Sequence, residues 1–187
     1  MSDAENSVNH SINDATPAGR GWMTRPDWRF MLSHPAHCIA LGFGTGLAPV
    51  APGTVGTLLG FPIYFLLSSH LSLGAQFIAV AIGFVIGVWA CGRTGRDMGI
   101  ADHSGMVWDE VVAFVLILMF TPPGWAWQAL AFFSFRFFDV IKPPPIRDID
   151  RRCKGGFGVM ADDIAAAAYS LISMAIVVQL LNVWRAW

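Results

Sequence analysis

Three stretches of the chain carry no Asp, Glu, Lys or Arg: 63 residues from Phe30 to Gly92, 25 from Val111 to Phe135 and 21 from Ile164 to Trp184. A helix on the surface of a soluble domain shows charge on its outer face every turn or so. Runs of this length therefore predict outer faces that meet lipid. In the first stretch, Val55 to Leu67 and Ala75 to Trp89 are split by the polar turn Ser68-Ser69-His70-Leu71-Ser72, which predicts a helical hairpin. In the second, Thr121-Pro122-Pro123-Gly124 splits Val111 to Phe120 from Trp125 to Phe135 and predicts another. Arms of ten or eleven residues reach only about 15–17 Å at helical rise. This second hairpin is thus expected to be re-entrant or tilted rather than a pair of full spans. The last stretch, about 31 Å long as a helix, is long enough to cross. Alternating apolar and polar positions, the mark of half-buried strands, are absent. The reading is all-α: an integral membrane helical domain of five or six helices, with short or re-entrant hairpins and Gly/Pro-rich loops on one face.

Composition sharpens this picture. Of 187 residues, 55% are hydrophobic and 13% charged, about half the charge of an ordinary soluble domain. Net charge is -1, so no overall field recruits nucleic acid. The three cysteines, Cys38, Cys91 and Cys153, form no CxxC and read as reduced thiols rather than a disulfide frame. Residues 1–29 are polar and lack an apolar signal-like segment; Met1 to about Ala18 reads as a disordered tail ahead of a membrane-embedded domain over 30–187. Eleven of the twelve basic residues fall in three segments: Arg20 to Arg29, Arg93 to Arg96, and Arg136 to Lys154. The positive-inside rule places all three in the cytoplasm. The C-terminus is then expected on the far side, with Arg185 as a contrary vote.

Chemistry concentrates in the polar segments. Gly42-Phe43-Gly44-Thr45-Gly46 leads through Pro49 and Pro52 to Gly53-Thr54, with Thr54 placed to cap a helix from Val55. Free amides at a helix start suit a phosphate; a membrane-entry loop needing glycine turns and proline stops would read the same way. Asp102-His103-Ser104-Gly105 offers caps for the following helix, and Asp109-Glu110 opens an uncharged run. Paired acids at a membrane boundary either complement a helix dipole or hold a cation that offsets their desolvation. Arg136, Asp139 and Lys142 are spaced to share one helix face ending at Pro143. Asp162 and Asp163 open the final helix, where Asp162 could serve only as an N-cap. Together Asp109, Glu110, Asp139, Asp162 and Asp163 lie beside apolar helices on one inferred side, with Arg136 and Lys142 among them. Oxygen ligands without His or Cys clusters favour Mg²⁺ over zinc.

The Gly42–Thr54 run, Trp108-Asp109-Glu110, Arg136–Pro143 and Gly155–Asp163, in that order and spacing, resemble the phosphatidylglycerophosphatase A family over roughly residues 30 to 180. The resemblance implies Mg²⁺-dependent hydrolysis of phosphatidylglycerophosphate to phosphatidylglycerol and phosphate at the bacterial inner membrane, with the site facing the cytoplasm. It implies that Asp109, Glu110, Asp139, Asp162 and Asp163 form the acidic, metal-holding site. Arg136 and Lys142 would contact phosphate, and the loop holding Gly44, Gly46, Pro52, Gly53 and Thr54 would cradle the head group. Ala113 and Ala167 stand where relatives often carry Gly. The competing reading is a non-enzymatic scaffold or transport subunit whose acids only pair with neighbouring Arg and Lys. Asp148-Ile149-Asp150 follows a triple proline, not the strand that a haloacid-dehalogenase phosphatase needs. His103 is the only histidine in the polar core segments, which excludes a histidine-nucleophile lipid phosphatase.

Overall fold

A computed structural model describes residues 25–144, 146–148 and 153–185; most of the polar tail lies outside them. Among the described residues the fold is all-α, without strands. Two short helices, α1 (Trp28–Leu32) and α2 (Pro35–Ala40), lead through a 3₁₀ stretch (Gly42–Leu47) into five longer ones. These are α3 (Pro52–His70), α4 (Leu73–Met98), α5 (Trp108–Phe120), α6 (Trp125–Ile141) and α7 (Gly156–Arg185). The two short helices are not visible in the hydropathy pattern. They exist through local caps: Asp27 Oδ1 accepts the Phe30 N–H at 2.8 Å, and His34 Nδ1 accepts that of Ala36 at 3.0 Å.

The central element is α5. It packs against α3, α4 and α7, and more lightly against α6. Val111, Ala113, Phe114, Ile117 and Leu118 on successive turns are all buried. Its uncharged run therefore faces protein, not the lipid expected from composition; a helix apolar all round is a buried one. Phe61 meets Phe114 edge-on at 4.9 Å, and Phe132 and Phe135 close round the same ring at 5.8 and 6.0 Å. Ala113 and Ala167, both fully buried, belong to this core. Although α3 and α4 are joined at Leu71-Ser72, α3 packs chiefly on α5. The first hairpin is closed by its turn and splayed around the central helix.

The outer layer is different. Helices α4 and α7 are long and apolar enough to cross a membrane, and only 22% of each apolar window is buried in the protein. Ile78, Ile82 and Val85 on α4, and Ile172, Ile176 and Leu180 on α7, present exposed apolar faces. Together with the central helix that they enclose, these faces make this an all-α membrane protein. The final helix starts at Gly156, before the uncharged run begins, and α6 extends to Ile141, so both are longer than their apolar segments.

One glycine fixes how the two long outer helices meet. A Cβ on Gly156 would lie 1.9 Å from the Val88 carbonyl oxygen and 2.5 Å from the Gly92 nitrogen. The start of α7 thus rests directly on the α4 backbone, an approach open only to small residues. Near the same end of α4, buried His37 of α2 bonds Thr94 Oγ1 at 3.0 Å and Asp97 Oδ2 at 3.2 Å. The polar ends of α2, α4 and α7 are held together there. Gly156→Ala is expected to lower the melting temperature in detergent, since relieving the overlap costs about 1–3 kcal/mol. Gly74→Ala, where a Cβ meets nothing within 4 Å, should leave it unchanged. Equal melting of both variants by scanning fluorimetry would show that the α4–α7 approach is not tight.

Candidate active site at the converging helix ends

Four helix ends supply one cleft. The start of α3 brings Pro52 and Gly53, the start of α5 brings Asp109 and Glu110, the end of α6 brings Arg136 and Asp139, and the second turn of α7 brings Asp162 and Asp163. Lys142, in left-handed conformation at φ 45°, terminates α6 and joins them. The cleft has a volume of about 250 Å³. Local sequence explains each placement. Pro52 at N1 of α3 loses no hydrogen bond there, and Ala51 before it takes the left-handed conformation at φ 48°. Pro143 ends α6 next to Lys142.

The five acids separate into two sets. Oxygens of Asp109, Glu110 and Asp163 lie within 4.8 Å of one another. Asp109 Oδ1, Glu110 Oε2 and Asp163 Oδ2 are buried without a hydrogen-bond partner among the described residues. The other two acids are held by cations. Asp139 Oδ2 accepts from Arg136 Nη1 at 2.6 Å, and Asp162 Oδ2 accepts from Lys142 Nζ. Arg136 Nη1 also reaches Glu110 Oε1 at 3.2 Å, so one guanidinium bridges α5 and α6. Burial first, and then the charge of Glu110, pushes the Asp109 carboxyl well above its ordinary range. Burial and then Asp139 push Glu110 up to about 8, with Arg136 acting in the opposite direction. Full ionisation of this cluster calls for more positive charge than Arg136 supplies. A hard divalent cation fits the donor set: three carboxylates from two helices, each with an oxygen left over.

Glycine makes the approach possible. A Cβ on Gly53 would stand 2.1 Å from Glu110 Oε1 and 3.1 Å from both Nη atoms of Arg136. No side chain caps α3, and Gly53 and Thr54 lie in its first turn, where backbone N–H groups have no intrahelical acceptor. Trp108 anchors the start of α5 through Nε1–H donated to the Gly83 carbonyl of α4 at 3.0 Å.

A family model for phosphatidylglycerophosphatase A matches residues 38–178. The chain belongs to the phosphatidylglycerophosphatase A family. Phosphatidylglycerophosphatase A of Escherichia coli (strain K12) is 43% identical over 143 residues, 76% of this chain and 83% of that protein. That of Haemophilus influenzae Rd is 43% identical over 145 residues, 77% and 89% of the two chains. A putative phosphatidylinositol-3-phosphatase of Bacteroides thetaiotaomicron is 38% identical over 145 residues, 74% of this chain and 90% of the other. No solved structure matches the chain significantly. This member of the phosphatidylglycerophosphatase A family is a phosphoric monoester hydrolase.

The residues expected from the sequence of this phosphatidylglycerophosphatase A family chain fall into three groups. Asp109, Glu110, Asp139, Asp162, Asp163, Arg136, Lys142, Pro52 and Gly53 all line the cleft. Thr54 and Gly44 do not, and Gly46 lines a neighbouring cavity instead. Thr54 is not a cap, because α3 begins at Pro52, three residues earlier than the apolar pattern indicates. Asp102 and Ser104 do not cap α5, whose N-cap is Val107; both line the cleft. Asp162 is no N-cap either, since α7 begins six residues before it. Lys142, spaced to share a helix face with Asp139, pairs with Asp162 across the cleft. Ala51 and Met106 were not flagged in the sequence, and they line the cleft by position in the loops rather than by chemical type.

Gly53→Ala is expected to lower phosphatase activity at least about a hundredfold, because displacing Glu110 and Arg136 by an ångström misplaces the whole cleft. Purified variant and wild type would be compared for phosphate release and melting temperature. Retained activity would mean that α3 need not approach Glu110 so closely.

Proposed function

We propose that the chain hydrolyses phosphatidylglycerophosphate to phosphatidylglycerol and inorganic phosphate, with Mg²⁺ as cofactor, at the cytoplasmic face of a bacterial inner membrane. The observation that carries the metal reading is the trio of buried carboxylates, each with an oxygen lacking a partner, next to two cationic side chains. The substrate reading draws support from the two relatives named phosphatidylglycerophosphatase A. Asp109, Glu110 and Asp163 would hold the ion, with Asp162 and Asp139 beside them. Bound there, Mg²⁺ would stabilise charge on the phosphoryl oxygens and lower the pKa of the attacking water.

The side chains divide the remaining work. Arg136, held between Glu110 and Asp139, keeps guanidinium N–H groups turned to the cleft for phosphate oxygens. Lys142 adds a second cation at the opposite acid. Backbone N–H groups of Gly53 and Thr54 give the start of α3 a positive end beside the phosphate. Asp139, outside the converging trio and oriented by Arg136, would take a proton from water. Water oxygen would bond to phosphorus as the bond from phosphorus to the glycerol oxygen breaks, and that oxygen would leave as the alcohol with the proton that Asp139 took from the water. The acyl chains stay in the bilayer throughout, alongside the exposed apolar faces of α4 and α7.

Arg136–Asp139 and Lys142–Asp162 are the ion pairs that a purely structural role would need. They leave Asp109 and Asp163 uncompensated, which a scaffold has no reason to bury.

Phosphate release from phosphatidylglycerophosphate in detergent micelles tests the reading. Wild type is expected to require Mg²⁺, and Asp163→Asn to lose about three orders of magnitude while remaining folded. Water-soluble glycerol phosphates should turn over poorly. Mg²⁺-independent release would remove the cofactor from the proposal, and no release by folded wild type would remove the substrate.

A further inference from the structure

A second cavity adjoins the carboxylate cleft and has the opposite character. It measures about 130 Å³ and shares Pro52 and Ser104 with the cleft, so the two are neighbours across these residues. Six acids line the cleft, counting Asp102; among the described residues none lines the second cavity. Its polar side chains are Arg25, His103 and Ser104, set against the Gly46–Pro49 loop. His103 Nδ1 accepts the Gly105 N–H at 2.9 Å, which keeps the neutral ring's proton on Nε2 as a donor. An arginine, an imidazole N–H and a hydroxyl, with no carboxylate among them, make a lining suited to a singly charged anion.

The surroundings indicate where such an anion comes from. Arg25 stands just before α1, and along the α1-to-α3 segment Trp28, Leu32, Phe43 and Val50 are more than half exposed. Apolar side chains of this kind flanked by Arg25 and Arg29 belong at the headgroup level of a membrane. The second cavity therefore opens between a membrane-surface segment and the reaction cleft. The substrate under "Proposed function" carries two phosphorus centres: the terminal monoester that is cleaved, and the diester that links glycerol to the diacylglycerol.

We propose that the cavity bounded by Arg25, His103, Ser104 and the Gly46–Pro49 loop is the subsite for the lipid phosphodiester. On this assignment, which rests on the proposed substrate, the acid-rich cleft takes the monoester with its cation while the acid-free cavity takes the diester. Arg25 is then a specificity residue. It separates a lipid with two phosphates from one whose only phosphate is the reacting one, and from inorganic phosphate.

The test is steady-state kinetics in mixed micelles with Mg²⁺, comparing wild type, Arg25→Gln, Arg25→Lys and Arg29→Gln. Arg25→Gln is expected to raise KM for phosphatidylglycerophosphate about tenfold, the scale of one charge-assisted hydrogen bond at a solvent-open site. Its kcat and the inhibition constant of inorganic phosphate should stay within about twofold of wild type, and Arg25→Lys should recover part of the KM. Arg29→Gln, outside both cavities, should leave KM unchanged. An unchanged KM in Arg25→Gln overturns the subsite. So does a parallel rise in the phosphate inhibition constant, which would place Arg25 at the reacting phosphate. An equal rise in Arg29→Gln also overturns it, because general attraction of basic residues to the micelle would then suffice. Wild type that releases no phosphate from this lipid instead sinks the substrate reading itself, and this assignment with it.

Discussion

Burying like charges together is the constraint on which this structure turns. Two ionised carboxylates with oxygens within 4.8 Å of each other repel by at least roughly 3.5 kcal/mol at an effective dielectric of about 20. Three converge here, at the ends of helices whose other faces are apolar. Arg136 answers part of that repulsion by bridging Glu110 and Asp139, and Lys142 answers Asp162. What remains is a deficit of positive charge located between Asp109, Glu110 and Asp163. On the function proposed above, a cation and the phosphate that it attracts would complete that deficit from outside.

Holding it requires helix ends to come closer than side chains ordinarily allow. Gly53 lets α3 reach Glu110, Gly56 and Gly60 let the same helix lie on Val107 and Phe114, and Gly156 lets α7 sit on the α4 backbone. Each approach brings an otherwise remote backbone against the element that carries an acid. The aromatic packing of Phe61, Phe132 and Phe135 around Phe114 then locks α3, α5 and α6 below the cleft. The chemistry is borne by polar residues at one end, and the geometry is set by glycine and phenylalanine along the helices.

How much of this could be read from the chain follows from the kind of signal each part leaves. Charge-free runs locate helices well, since desolvating an ionised group in a helix face is costly enough to exclude it. They do not say what covers the helix: α5 and α4 look alike in composition, yet one is enclosed by protein and the other turns Ile82 and Val85 outward. Helix starts are harder still. Pro52 and Gly156 begin their helices inside Gly-rich segments that carry no hydrophobic period, so the apolar pattern places both starts too late. The acids were legible because carboxylates beside apolar runs have few innocent explanations. Their division into a converging trio and two ion pairs was not, because Lys142 meets Asp162 across twenty residues of sequence. The contribution of Ala51 and Met106 is positional and leaves no compositional trace.

The Thr121-Pro122-Pro123-Gly124 turn has a further consequence. With thirteen residues, α5 is about 20 Å long, while the hydrocarbon layer of a bilayer is about 30 Å. With Asp109 at the headgroup level, the far end of the helix would stop inside the oil. A backbone turn left there is normally forbidden by its unsatisfied amides. Here the prolines at 122 and 123 have no N–H to satisfy, and the Thr121 N–H is already given to the Leu118 carbonyl at 3.2 Å. The Thr121 hydroxyl is likewise spent on Ile117. Residues 121 to 123 thus offer lipid no free N–H, and what the corner must still satisfy is confined to the uncapped amides that open α6.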